Sequence, residues 1–394
     1  MRMNLENKWM RAAIPALLIH ACIGSVYCWS LLKGDIATEI GCSVKAIEFA
    51  FSLAIFFLGM SAAFGGRFVE KNVKQSAVIS GICFSLGLFL SVLSIHLKSV
   101  FGLMMSYGCL MGIGLGIGYL TPVKTLMLWF SKHKGLATGI AISGFGLSKV
   151  LFSPFIEWCT PKYGVSATLT YMGGIGIVCI LLAAFLIHKP LDWKEPVVRW
   201  RPTDYIRVVR NSTYLKIWFL FYLNITCGLA LIAFEKNIAL SVGITAVGLL
   251  SALTAFFNTA GRFGYSTLSD YTRTKEMIYK IIFTSSCAAM LLALTNDMII
   301  TVVVVLCVIN AGYGGGFSTL PTLLQTKFGM QKISTIHGLA LSAWAWAGLS
   351  GNQLSNLIIN ELELSYSVLY IVLAALYAVA LILTLSIPQR TEKI

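Results

Sequence analysis

Twelve runs of roughly twenty mostly apolar residues punctuate the chain, and no feature restricts its fold more. A helix rising ~1.5 Å per residue needs a run of that length to cross the hydrocarbon layer of a bilayer. The runs fall at 10–32, 45–66, 75–96, 101–127, 135–157, 166–188, 214–235, 244–268, 277–295, 298–326, 336–357 and 366–388. In hydrocarbon every backbone polar group must be paired within its own segment, so the runs are read as helices. Composition agrees. Of 394 residues, 57% are hydrophobic and only 12% charged, and the mean hydropathy is +0.80. That is too little charge to coat a water-soluble domain of this size. The expected class is an all-α polytopic membrane protein.

Most connections are short. The exception, "KPLDWKEPVVRWRPTDYIRVVRNST" at 189–213, separates a six-helix half at 1–188 from another at 214–394. Within it "DYIRVVR" reads either as a short surface helix or as solvated linker. The net charge of +14 reports topology. With the N-terminus inside, 21 lysines and arginines fall in inner segments and five in outer loops. Both termini are expected in the cytoplasm and the chain in the cell (inner) membrane, as a monomer. The basic residues form no groove-like cluster with aromatics, so nucleic acid is not an expected partner. The first apolar run is too long for a cleaved signal and is read as the first span. The ten cysteines include no CxxC pair and the five histidines are dispersed, so neither a metal site nor a cofactor is expected.

The two halves echo each other. The second run exits through "GGRFVEK", with Glu70 four residues after Gly66. The eighth exits through "STLSDYTR", with Asp270 four residues after Ser266. The fourth run carries "TPVKTL" and is followed by "GLA" at 135–137; the tenth carries "LPTLLQ" and is followed by "GLA" at 338–340. Two parallel half-repeats around a central path would give this echo. Glycines spaced by four in "GCLMGIGLGIGYLTP" suit close helix packing, and Pro122 and Pro321 suit bends. No strand–turn–helix unit accompanies the glycines, which argues against a dinucleotide loop.

Charges inside the runs are costly, at least ~2.5–3.5 kcal/mol each, so they face a cavity or a partner. Arg262 is placed about 12 Å from the Asp270 corner, Lys149 roughly 21 Å into the fifth run, and Lys124 about 9 Å from Phe130. Lys216 is close enough to an end to snorkel. The acids all map to loops, termini or helix ends, so an anionic cargo becomes the candidate counter-ion. A guanidinium suits a carboxylate because it binds it bidentately. Each cation also has a plainer reading: Arg262 as a gate residue tied to Asp270 or the second-run corner, Lys124 as a snorkelling side chain, Lys149 facing a wet vestibule. His20, about ten residues into the first run, is either a proton site or a buried neutral histidine. Tyr27, Trp29, Tyr119, Tyr313, Trp344 and Trp346 supply aromatic surface that would suit a small, flat anion.

The twelve runs, the 6+6 division and the two corner motifs resemble the major facilitator superfamily, with Glu70 where that family's corner usually has Asp. "GIGYLTPVKTLMLWFSKHKGLATGIAISGFG" (116–146), "FYLNITCGLAL" (221–231), "FFNTAGRFGYSTLSD" (256–270) and "HGLALSAWAWAGLSG" (337–351) are similar to its oxalate/formate antiporter family. The resemblance implies the major facilitator fold and transport of small carboxylates such as formate, lactate, pyruvate or oxalate. It puts the family's carboxylate-binding arginine at Arg262, and its tyrosines of the first and fourth helices at Tyr27 and Tyr119. The second cation of the oxalate carrier, a lysine in the eleventh helix, is replaced here by Trp344. One cation beside an indole favours a monocarboxylate, while Lys124 or Lys149 as a substitute cation leaves a dicarboxylate open.

The expected function is therefore secondary transport of a small organic anion by alternating access, as an antiporter. Arg262 binds the carboxylate, Lys124 and Lys149 add positive potential, and Tyr27, Tyr119, Trp344 and Trp346 shape the pocket. Arg67, Glu70, Asp270 and Arg273 form gate contacts. A proton-coupled monocarboxylate symporter using His20 is the alternative within transport, and a membrane carboxylate sensor the alternative outside it. No nucleophile–base or metal arrangement points to an enzyme.

Overall fold

The structure is a computed structural model that describes residues 7–193, 202–389 and 391. Expectations that rest on Arg2, Lys194, Arg199, Arg201, Arg390 and Lys393 lie outside the described residues. Every regular element among the described residues is helical.

Among the described residues, nine helices are long and apolar enough to cross a membrane. They are α1 (Trp9–Ile40), α2 (Val44–Lys71), α3 (Val73–His96), α4 (Val100–Trp129), the 53-residue Lys134–Leu186, α7 (Ser212–Ser241), α9 (Glu276–Ala293), α10 (Ile299–Phe328) and α12 (Tyr366–Leu385). The 53-residue helix is two. Gly164 adopts φ +83° and ψ 163°, a backbone state that side chains disfavour, and divides it into α5 (134–163) and α6 (165–186). Two less apolar helices complete twelve: α8 (Val247–Tyr271) and α11 (Ile333–Asn356). They are the helices that carry Asn258, Arg262 and His337, so their lower hydropathy has the same source as the chemistry described below.

Expected and observed ends differ where the sequence turns polar before the helix stops. The first run was expected to end at 32, yet α1 continues to Ile40 through Lys33 and Asp35. It is also interrupted by a tighter 3-10 stretch at Gly24–Cys28. Asn211 caps α7, accepting the Tyr214 N–H at 2.9 Å. Before it, Pro202–Arg210 forms a short helix, so "DYIRVVR" is helical and not open linker.

The chain gathers into two compact units. One combines Met1–Val197 with Ser334–Ala345, the other Val198–Ile333 with Trp346–Ile394. The single helix α11 thus contributes its first half to one unit and its second half to the other. Within the second unit, α8 and α10 approach so closely that only glycine fits. A Cβ on Gly261 would stand 2.1 Å from the Ala311 carbonyl oxygen, and one on Gly314 would stand 2.1 Å from that of Asn258. This contact fixes α8 against α10 at the level of Arg262.

Candidate functional site

Arg262 lies roughly 22 Å from the Val247 end of α8 and about 13 Å from the Tyr271 end. It is 1% exposed. Its Nε donates to Asn258 Oδ1 at 2.8 Å, one helical turn earlier. The guanidinium carbon stands 5.2 Å from the centre of the Phe317 ring of α10, a cation–π distance. Gly314 brings the α10 backbone against the arginine stem, where an added Cβ would meet Cγ at 3.0 Å. An amide oxygen and an aromatic face thus help to orient the guanidinium. Next to it, Asn224 of α7 donates from Nδ2 to the Tyr313 carbonyl at 3.5 Å, and the Tyr313 and Phe317 rings pack 5.2 Å apart.

The first unit holds a buried aromatic box. Tyr119 of α4 is its centre. Its ring stacks on His20 at 5.2 Å and meets Phe145 at 5.8 Å, Trp344 at 5.5 Å and His337 at 6.1 Å. Phe145 also touches Trp344 at 5.9 Å and Tyr27 at 5.3 Å. His20 is held by two backbone carbonyls, that of Ala141 at Nδ1 and that of Tyr119 at Nε2, the latter at 3.1 Å. Carbonyl oxygens only accept, so both contacts are hydrogen bonds at once only when the ring carries both of its protons. His337 is 2% exposed, and its Nε2 has no hydrogen-bond partner among the described residues.

Charged residues at the helix ends are engaged locally. The Glu70 carboxylate is buried and accepts from the Thr335 N–H at 3.2 Å and the Thr335 hydroxyl at 3.0 Å, tying the end of α2 to the start of α11. The Glu70 backbone carbonyl accepts from Lys189 at 2.6 Å and Lys124 at 3.5 Å. Lys124 is itself buried, and its charge acts on the Glu70 carboxylate. In the second unit Lys327 and Glu276 form a buried ion pair, and Lys327 also donates to the Pro388 carbonyl at 2.5 Å. Arg67 and Arg273 are exposed, while Asp270 is half-buried and acts electrostatically on Lys275. Outside the spans, burial is the main cause that lowers the Lys275 pKa, and Asp270 and Glu276 oppose it.

Several expected placements are refined. Lys327 and Arg11, two of the 21 basic residues assigned to inner segments, are both buried within helices; Arg11 donates to the Leu186 carbonyl at 3.4 Å. Glu70 and Glu276, expected at helix ends, do sit there, but buried, so protein carboxylates do lie beside two of the inner lysines. Lys216 reaches the Ser386 carbonyl at 2.8 Å. Lys149 is half-buried on α5, where its charge acts on Cys28 of the 3-10 stretch in α1. Trp346 is 51% exposed, two residues past Trp344 and on another face of α11. Tyr119, Trp344, His20 and Tyr27 come together in the box. Sequence reading passed over Asn258, Phe317, Phe145 and His337. Two of them carried a usable signal: Asn258 is four residues from Arg262, and His337 is seven residues from Trp344, so each shares a helical face with its neighbour.

A family model described as "Major Facilitator Superfamily" matches residues 16–352. The oxalate:formate antiporter of Oxalobacter formigenes is 26% identical over 389 residues, covering 96% of this chain and 91% of that protein. The uncharacterized MFS-type transporter YhjX of Escherichia coli (strain K12) is 27% identical over 346 residues, 85% of this chain and 84% of its own. Among solved structures, the MFS transporter FucP superposes with a TM-score of 0.75 at 12% identity, covering 96% of this chain and 98% of its own.

Proposed function

Because the chain belongs to the Major Facilitator Superfamily, whose fold and kinship are those of transporters, we propose that it moves small carboxylates by alternating access, with Arg262 as the residue that binds the carboxylate. One observation carries this reading: a permanent cation, buried at mid-helix, is oriented by an amide and a phenyl ring. A guanidinium held this way presents a planar fork that suits a carboxylate and loses little rotamer freedom on binding it. The oxalate:formate antiporter of Oxalobacter formigenes, similar over most of both chains, adds support.

Exchange is the primary mode in this reading. The carrier sits in the inner membrane with both termini cytoplasmic. The aromatic box of Tyr27, Tyr119, Phe145 and Trp344 supplies flat apolar walls that suit a short carboxylate. Lys124 is reassigned from cargo binding to the Glu70 corner, because its ammonium already meets the carbonyl there. Glu70 and Thr335 form a latch between α2 and α11 that opens during the cycle. Proton coupling is the second mode, and the contact of His20 with two carbonyls favours it, since that geometry suits a ring carrying both protons.

A thermal-shift screen of purified protein against formate, acetate, lactate, pyruvate, oxalate and succinate tests the central assignment. At least one carboxylate should raise Tm, and Arg262→Gln should remove that rise. Stabilisation that survives the substitution would assign the carboxylate to another residue.

A further inference from the structure

Among the described residues the buried carboxylates are those of Glu70, Glu235 and Glu276. Glu70 and Glu276 lie at helix ends, and each faces a group that only donates: the Thr335 N–H for Glu70, the Lys327 ammonium for Glu276. Glu235 differs in place and in partner. The seventh apolar run ends at Glu235, yet α7 continues to Ser241, which leaves this residue about 9 Å inside the helix. Its Oε1 accepts from the Thr254 hydroxyl of α8 at 2.9 Å, and both side chains are buried. A carboxylate within a span is costly, and such residues mark ion or proton paths.

Thr254 suits both protonation states of that carboxylate. Its hydroxyl also reaches the Ser251 carbonyl at 3.1 Å. A hydroxyl donates one proton and accepts as well. Facing a charged Glu235, it donates to Oε1. Facing a protonated Glu235, it accepts the carboxyl proton and donates to Ser251 instead. Thr254 also begins a polar stripe, because Thr254, Asn258 and Arg262 follow at a spacing of four on one face of α8. Arg262 lies about 12 Å along the helix from Thr254. In a medium of low dielectric, a negative charge at that range still repels an anion held by the guanidinium.

Within the second unit α7 packs on α8, α10, α11 and α12. Toward the Ser241 end, Cys307 of α10 feels the Glu235 charge, and Tyr366 and Tyr370 begin α12. Lys236 follows Glu235 and is exposed, as is Glu361 beyond α11. Arg262 of α8 and Tyr313 of α10 stand deeper. Thiols and phenols ordinarily keep their protons at neutral pH, and lysine and arginine keep their charge. The buried group here suited to exchange a proton is the carboxylate.

We propose that Glu235 is a proton-binding site coupled to the anion site: it takes up one proton as the anion binds at Arg262 and releases it to the opposite compartment as the anion leaves. The proposal rests on the reading that Arg262 binds a small carboxylate. The proton comes from water on the entry side; one carboxyl O–H bond forms there and breaks on the exit side. Neutralising Glu235 removes its repulsion of the cargo, and by linkage the bound anion favours the proton equally.

The test reconstitutes wild type, E235Q, E235A and R262Q in proteoliposomes with the membrane potential clamped at zero. Exchange of labelled pyruvate and oxalate against the same unlabelled anion is read at equal pH. Accumulation of either exchanged anion is then read with the outside about one pH unit more acidic, where one proton per anion sets a limit of about tenfold. Protein-free liposomes supply the background. Wild type should exchange and should accumulate several-fold. E235Q and E235A should still exchange, since exchange moves no net proton, and should not accumulate. Glutamine accepts the Thr254 hydroxyl as glutamate does, so a merely structural tie predicts that E235Q accumulates like wild type. Accumulation that persists in either neutral variant, loss of exchange in both, or an exchanging wild type that does not accumulate overturns the proposal. Wild type that exchanges neither anion, or R262Q that exchanges undiminished, overturns the carboxylate reading itself.

Discussion

Asn258 illustrates how much of Arg262 is set by its neighbours. The amide oxygen takes the Nε proton at 2.8 Å and so fixes the plane of the fork. Asn258→Ala should weaken the best carboxylate by about fivefold, from a hydrogen bond to a charged group, and shift Tm little. Calorimetry on the purified variant reads both. Arg262→Lys should not restore binding, because a lysine offers a point charge and no planar fork. At this scale the sequence was partly legible. Arg262 stood out because a charge in a span is expensive, and Asn258 shared its face at a spacing of four. Lys124 was harder to read. Its partner is the Glu70 carbonyl, 54 residues away in the chain, and no spacing rule on α4 reveals it. His337 shared a face with Trp344 at a spacing of seven, yet a histidine near a helix start looks like an end residue until α2 and α4 meet it.

The elements depend on close approach more than on hydrophobicity. α8 can present Arg262 beside Phe317 only because Gly261 and Gly314 let it meet α10 backbone to backbone. Gly261→Ala or Gly314→Ala should separate the helices, lower stability by roughly 1–3 kcal/mol and weaken carboxylate binding. Gly264→Ala is the control on the same helix, since nothing stands within 4 Å of its Cβ position. It should be neutral or slightly stabilising, as alanine is the better helix former. Thermal unfolding with and without ligand distinguishes the outcomes. Apolar runs gave the twelve helices readily, because bilayer thickness sets their length. Their ends were less clear: polar residues such as Lys33 and Asp35 continue α1 past its apolar run. The bend at Gly164 marks the join of α5 and α6, where the sequence showed only a gap between two runs.

For the whole molecule, the 6+6 division was visible in the internal echo and in the long connection at 189–213. The division of α11 was not. Its first half packs with the first unit through Glu70–Thr335 and the Gly338 contact, and a linear reading assigns a helix to the half in which it occurs. The proposed function requires that the chain move a carboxylate and that Arg262 hold it. The most direct measurement is uptake of radiolabelled formate, pyruvate or oxalate into proteoliposomes preloaded with the same unlabelled anion, with wild type and R262Q reconstituted in parallel. Wild type should exchange at least one of the three, and R262Q should fall to the level of protein-free liposomes. Undiminished exchange by R262Q, or no exchange of any carboxylate by folded wild type, would contradict the account.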